Sequence, residues 1–328
     1  MNVLVLGATG FIGGHIAKAA YDAGWYTRGF RRDQASTGHL GDLEIDWFTG
    51  NLDDTQSLKH ALQNIDVVFH VAGYYPARND RRPLAEQVRY VRTQTEAVIA
   101  TISQANISHF VYTSSLSTIG FPPPGSDRLA DEKDYYQPGD LKKSAYYEVK
   151  YVMESMILEA TSQGFPAVIL NPTAVFGPGD VHLTLGRLII AAAHGRMIAW
   201  LPGIVNVIDV RDVAAAHIQA VKLGSVGERY ILGGQNLGIK EAMYQVSQIL
   251  GTRAPRFKIP LGLIDGLIKI DNLFPNTSLT GNHLQALVRW RGFDSSKATQ
   301  FLELKTRPFA ESIRDARDWF IENGYLQK

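Results

Sequence analysis

The sequence predicts an α/β fold built on a doubly wound parallel sheet, and three observations carry that expectation. The chain opens on four apolar residues, Val3 to Leu6, followed by glycines at 7, 10 and 13 and then by Ile16, Ala19 and Ala20 at helical spacing. Further short apolar runs, the mark of strands buried on both faces, alternate with helix-periodic stretches as far as Leu170. The 328 residues, 45% of them apolar, suffice for one large domain or two intimate ones.

The first strand, turn and helix form half of a βαβ unit. Glycines let the turn close tightly and approach a pyrophosphate, while the helix directs free N–H groups and its positive dipole end at that anion. Gly7, Gly10 and Gly13 are therefore candidates for dinucleotide binding, in the strand-to-helix context that the motif requires. An ordinary glycine turn is the bland alternative. The next strand, 26–30, ends in Arg31-Arg32. A carboxylate at this place would accept hydrogen bonds from an NAD ribose, whereas a guanidinium fork binds a 2′-phosphate. The basic pair favours NADP, and Asp33 nearby leaves NAD open; two arginines capping a surface turn would look the same.

Strands are expected at 43–48, 67–73, 109–113 and 167–170, and helices at 55–62, 84–105 and 144–163. His70, inside an apolar run, reads as a packed histidine. After Asp180 the alternation breaks down. Helices are expected at 185–194, 212–223, 240–250 and 310–323, with strands at 205–210 and 228–232.

Composition excludes several functions. Lysine and arginine total 33 against 32 acidic residues, so nothing calls for nucleic acid or an anionic membrane as partner. With no cysteine there is no disulfide, thiolate metal site or cysteine nucleophile. No metal-ligand cluster stands out. No apolar run reaches the ~20 residues that span a bilayer, and the N-terminus lacks a signal-peptide pattern, so a cytoplasmic protein is expected.

Chemistry enters with Tyr146 and Lys150, which share a helical face at i and i+4. A free phenol has a pKa of about 10, and a nearby ammonium lowers it. Such a tyrosine protonates a carbonyl oxygen as hydride arrives at carbon. Ser114 and Ser115 stand at the carboxyl end of the strand 109–113, where ligands of open parallel sheets bind. A serine there gives the developing oxyanion a second hydrogen bond. The tyrosine–lysine spacing alone is weak; the order of glycine turn, serine-tipped strand and tyrosine–lysine helix gives it weight.

With these pieces the chain resembles the extended short-chain dehydrogenase/reductase family, also called the NAD-dependent epimerase/dehydratase family. The resemblance rests on 7–13, Asn51-Leu52, His70-Val71-Ala72-Gly73, Tyr112-Thr113-Ser114-Ser115, Tyr146 with Lys150, and Asn171-Pro172-Thr173 running on to Asp180. Val210 to Ala214 and Arg229 to Gly234 also fit. The last matches are similar to the dihydroflavonol-reductase-like branch. The resemblance implies a Rossmann-type sheet with a smaller C-terminal substrate-binding lobe: 1–172 for the dinucleotide, with 205–233 returning to it, and 173–204 with 234–328 for substrate. It implies Ser115, five residues before Gly120, as the catalytic serine beside Tyr146 and Lys150, with Ser114 as competitor. It places Gly7, Thr9, Gly10, Phe11, Ile12, Gly13, Arg31, Arg32, Asn51, Leu52, Val71, Ala72, Gly73, Tyr146, Lys150, Asn171, Pro172 and Thr173 around the coenzyme.

Three departures stand out. Asn51 replaces the usual aspartate beside the adenine, and Val91 replaces the usual helix asparagine. Leu116-Ser117 stands where dehydratases carry Asp-Glu, so elimination lacks its acid and base. Aromatic residues in the loops at 74–83 and 121–136 (Tyr74, Tyr75, Phe121, Tyr135, Tyr136) suit an apolar or aromatic carbonyl compound. A diphosphate sugar would need cations such as Arg78, Arg81, Arg82, Arg187 and Arg196. The expectation is thus an NADP-dependent reductase of a ketone or aldehyde. The alternatives are a nucleotide-sugar epimerase that oxidises its substrate transiently with bound NAD(P), and a non-catalytic cofactor-sensing protein. Helices 84–105 and 144–163 correspond to those that pair in family homodimers, and a monomer fits equally.

Overall fold

The computed structural model describes residues 1–41, 43–76, 82–123, 125–141, 144–264, 266 and 289–327. Seven strands form one sheet: β1 (Asn2–Leu6), β2 (Tyr26–Arg31), β3 (Asp46–Thr49), β4 (Val67–His70), β5 (His109–Thr113), β6 (Ala167–Pro172) and β10 (Arg229–Leu232), in the order β10-β6-β5-β4-β1-β2-β3. Every pairing in it is parallel. The order reverses at β1, between β2 and β4, and opens a crevice at the carboxyl ends of the strands.

Alternation along β1 explains why both faces are covered. Val3 and Val5 enter one apolar cluster with Ile16, Ala17 and Ala20 of α1 (Phe11–Asp22) and Val213 and Ala220 of α6 (Val210–Leu223). Leu4 and Leu6 enter the opposite cluster with Leu58 of α2 (Thr55–Ala61), Val91, Val98 and Ile102 of α3 (Leu84–Ser103), and Val149, Met153 and Ile157 of α4 (Ala145–Ser162). A strand with apolar side chains on both faces must be sandwiched between helices. His70 is among these packed residues, as expected: it is buried on β4, and burial, then the Lys150 charge, push its pKa down to about 3.

A second, three-stranded sheet has the order β11-β9-β7, from β7 (Ala174–Phe176), β9 (Ile204–Asp209) and β11 (Gln235–Gly238). Its apolar core joins Phe176, Val207 and Leu237 to Ile189 of α5 (Gly186–Ala193), Val246 of α7 (Ile239–Leu250), and Ile313 and Phe320 of α9 (Phe309–Glu322). A short ladder pairs β8 (Ala199–Trp200) with β12 (Phe257–Lys258).

The segment 205–233 divides. Its strand β9 pairs with β7 and β11 in the second sheet, while α6 packs under the first and β10 pairs with β6 in it. The expected substrate segment 234–328 divides too, because Ala298 of α8 (Ser296–Phe301), with Leu302 and Leu304, packs into the cluster under α1 and α6. An apolar run declares that it is a strand, not which strand it will pair with. Among the described residues, no helix is long and apolar enough to cross a membrane.

Candidate active site

The turn after β1 has the shape its glycines require. Gly7 sits at φ +97°, and a Cβ there would lie 2.9 Å from the Ala72 backbone N. A Cβ on Gly13 would lie 2.1 Å from the Gly7 carbonyl O. Gly10 donates its N–H to Gly7 O at 2.9 Å and caps α1 with no side-chain hydrogen bond. The first turn of α1, with Phe11, Ile12 and Gly13, therefore offers backbone donors to an anion. Thr9 backs onto the loop after β2, where a Cβ on Gly38 would meet its carbonyl O at 2.5 Å. Val71 and Ala72 both donate their N–H to Leu6 O, at 3.0 and 2.8 Å, which brings the 71–73 strand end against the glycine turn. This close-walled cradle fits a dinucleotide.

Arg31 ends β2 with its guanidinium 4.8 Å over the Trp47 ring and Nη1 donating to Ser36 O at 3.2 Å. Its Nε is buried with no hydrogen-bond partner among the described residues. Arg32 is exposed. The Asp33 carboxylate accepts the N–H of Ala35 at 2.9 Å, in an Asx turn. Asn51 is exposed and its Oδ1 accepts the Asp53 N–H at 3.2 Å, while Leu52 is buried.

At the carboxyl end of β5 the Tyr146 hydroxyl donates to Ser115 Oγ at 2.9 Å. The Ser117 N–H also donates to this oxygen, at 3.2 Å, so the serine's own proton faces no protein acceptor among the described residues. Ser114 does not join them: its hydroxyl lies 3.4 Å from Thr118 Oγ1. Ser115 is thus the serine that meets the tyrosine. Lys150, one turn along α4, is buried with its ammonium 5.9 Å from the Tyr112 ring centroid, and has no hydrogen bond among the described residues.

The titration behaviour differs from the expectation. Burial pushes the Tyr146 phenol up to about 12, outweighing the hydrogen bond to Ser115. Burial also pushes Lys150 down to about 8, although the Glu154 charge opposes this. Loss of water, which the i, i+4 spacing does not encode, dominates both groups.

Asn171 and Thr173 engage their side chains with other protein groups. Asn171 Nδ2 lies 2.7 Å from Glu154 Oε2, 2.8 Å from Thr118 Oγ1 and 3.2 Å from Ser115 O. Thr173 Oγ1 donates to Asn206 Oδ1 at 2.8 Å, joining the two sheets, and Pro172 closes β6 opposite Leu232. Sequence reasoning missed Glu154 and its partner Arg229. Glu154 lies four residues past Lys150 on the same helix face, and that spacing was the available signal.

Of the expected walls, Tyr75 is exposed, with its ring 5.0 Å from that of Tyr146. Phe121 packs 4.4 Å from Trp290. Tyr136 is a correction: it is fully buried and donates to Glu148 Oε1 at 2.7 Å, so it belongs to the core. Tyr74 donates to Gln87 Oε1 at 3.0 Å and lies edge-on to Tyr90. Tyr135 is exposed, beneath the Arg229 guanidinium. Arg187 and Arg196 are exposed, and Arg82 lies over the Tyr74 and Tyr90 rings. Arg78 and Arg81 lie outside the described residues.

Residues 3–233 match the model of the NAD dependent epimerase/dehydratase family. A protein of Synechocystis sp. provisionally named dihydroflavonol 4-reductase is 32% identical, over 98% of this chain and 95% of its own. The sterol demethylase protein B of Methylococcus capsulatus is 29% identical over 99% of this chain and 100% of its own. Among solved structures, a nucleoside-diphosphate-sugar epimerase from Pseudomonas aeruginosa superposes with a TM-score of 0.84 at 27% identity, covering 100% of this chain and 99% of that one. The glycine cradle, the strand order and these likenesses lead to one assignment: the chain belongs to the NAD-dependent epimerase/dehydratase family of extended short-chain dehydrogenase/reductases and is an NAD(P)-dependent oxidoreductase of that type.

Proposed function

We propose that the protein is an NADP-dependent reductase of a ketone or aldehyde, with Tyr146 as the general acid. The observation that carries this is the 2.9 Å hydrogen bond from the Tyr146 hydroxyl to Ser115 Oγ at the mouth of the crevice. The coenzyme, when bound, supplies the hydride. A phenol pushed up to about 12 is fully protonated at neutral pH and holds the proton that the carbonyl oxygen needs. Ser115, which accepts from Tyr146 and Ser117, keeps its own O–H to orient that oxygen. The Lys150 ammonium favours the phenolate left after transfer.

Gly7, Thr9, Gly10, Phe11, Ile12 and Gly13 would hold the pyrophosphate, Asn51 and Leu52 the adenine end, and Val71 to Gly73 with Asn171 to Thr173 the walls nearer the reacting atoms. NADP is favoured because Arg31, held over Trp47 and by Ser36 O, keeps a buried Nε unbonded among the described residues beside the exposed Arg32, whereas the Asp33 carboxylate is engaged in its own turn. The exposed Tyr75 ring beside Tyr146 favours a flat apolar carbonyl compound. The epimerase reading draws support from the Pseudomonas likeness and makes a different prediction in the same assay.

The test is to mix enzyme, NADPH and a panel of aryl and alkyl carbonyl compounds with nucleotide sugars, and to follow the absorbance of the reduced nicotinamide. Stoichiometric consumption is expected with a carbonyl compound; isomerisation of a sugar without consumption would overturn the reductase. Tyr146→Phe should lose about 100-fold or more in turnover. Replacing Arg31 and Arg32 by alanine should weaken NADPH by about tenfold or more while sparing NADH.

A further inference from the structure

Beneath the tyrosine–serine pair lies a polar cluster that the reaction as described does not use. Glu154 and Arg229 form an ion pair, Arg229 Nε to Glu154 Oε1 at 2.9 Å, with side chains 4% and 2% exposed. The other carboxylate oxygen accepts from Thr118 Oγ1 and from Asn171 Nδ2, each at 2.7 Å. Arg229 Nη2 donates to Thr118 O at 2.9 Å, and Nη1 to Glu132 O at 3.0 Å. Charges this deep are tolerated only when paired and fully bonded.

The cluster converges on one backbone atom. Thr118 Oγ1 lies 2.9 Å, and Asn171 Nδ2 3.2 Å, from the Ser115 carbonyl O. The short 3₁₀ turn Leu116–Thr118 begins at Ser115 and is fastened at its far end to Glu154 and Arg229. Ser115 has little freedom of its own: its side chain caps that turn through the Ser117 N–H. The rotation of the turn therefore sets where Ser115 Oγ stands relative to the Tyr146 hydroxyl.

We propose that Glu154, clamped by Arg229, is a positioning residue that holds Ser115 against Tyr146 through Thr118 and Asn171. The proposal rests on the reading of Ser115 and Tyr146 given above. It adds β10 and α4's second inward turn to the machinery, as an anchor behind the reacting groups. The Glu154 charge also faces Lys150 on the same helix, with His70 of β4 and Tyr112 of β5 around that ammonium.

The test compares crystal structures of wild type, Thr118→Val, Thr118→Ser and Glu154→Gln, each checked for NADPH binding by fluorescence. Thr118→Val removes the hydroxyl link while leaving the ion pair, so it tests the idea even where Glu154→Gln fails to fold. In Thr118→Val the Ser115–Tyr146 contact should open by about 1 Å, with up to about 100-fold lower turnover of the best carbonyl compound in the panel. NADPH affinity should stay within about twofold, and Thr118→Ser should restore the contact. A Ser115–Tyr146 distance unchanged in Thr118→Val would overturn the proposal, as would loss of NADPH binding in step with the contact. Turnover is read as a cycle with Ser115→Ala: in that background Thr118→Val should cost nothing further, and additive losses would overturn the route through Ser115. Wild-type turnover by Ser115→Ala would instead sink the reading of the site, while the measured distances would still decide the anchoring.

Discussion

At the scale of single residues, the proposed chemistry lies in groups that burial makes unlike their free forms. Lys150 carries its charge where little water reaches it, and its pKa falls to about 8. The unfolded chain holds that proton up to the ordinary lysine range, so between the two values the unfolded state binds more protons and stability rises with pH. Lys150→Met should therefore melt higher than wild type at neutral pH, by up to roughly 3 kcal/mol of stability, with the gap closing as pH rises past 8. Thermal melts of both proteins across that range check the sign. Because Lys150 is proposed to act as a cation, turnover at saturating NADPH should decline as pH rises through about 8, and a flat profile to pH 10 would contradict its role. The positions of Ser115, Tyr146 and Lys150 were legible because each lies at a predictable place: a strand tip and two sites one helical turn apart. Their protonation was not, since desolvation depends on everything that packs around them. Arg229 was hidden for the same reason, since it reaches Glu154 from a distant strand.

At the scale of elements, the sharpest constraint is the approach of α1 to the strand before it. The absent side chain of Gly13 leaves room for the Gly7 carbonyl, and backbone cannot step aside as a flexible side chain can. Gly13→Ala should push the helix away from the turn, destabilise the fold by about 1–3 kcal/mol and weaken NADPH binding. Fluorescence titration and melting measured on one sample check both; unchanged binding would mean that the turn does not touch the coenzyme. Of the first sheet, all seven strands overlap segments expected from the sequence; the central ones, β1, β4, β5 and β6, stand out because buried parallel strands are written as near-continuous apolar runs. The second sheet was harder to read. β11 is Gln-Asn-Leu-Gly, with only Leu237 buried, and β7 is three residues long. Neither carries enough periodicity to declare itself, so the sequence shows the strand at β9 but not the partners it takes in the second sheet.

At the scale of the whole molecule, the two sheets meet where β9 runs into α6 without an intervening loop. Asp209 ends β9 and caps α6, accepting the Arg211 N–H at 2.8 Å. Its carboxylate also pairs with the Arg211 guanidinium at 2.8 Å, and the same guanidinium reaches Asp315 of α9 at 2.7 Å. Burial would raise the Asp209 pKa, but hydrogen bonds from Arg211 and Ser312 prevail and hold it below the usual carboxylate range. The stability this supplies is present at neutral pH and fades as acidification reaches that lowered value. Arg211→Ala would strand the Asp209 carboxylate and should cost on the order of 3 kcal/mol, measurable by urea denaturation at pH 7; a loss under about 0.5 kcal/mol would mean that water replaces the guanidinium.

That loopless passage from β9 to α6 has a calorimetric consequence. Heat cannot loosen one sheet without disturbing the helix that covers the other, since strand and helix are consecutive residues of one stretch of backbone. The protein should absorb heat in a single sharp peak whose calorimetric and van't Hoff enthalpies agree.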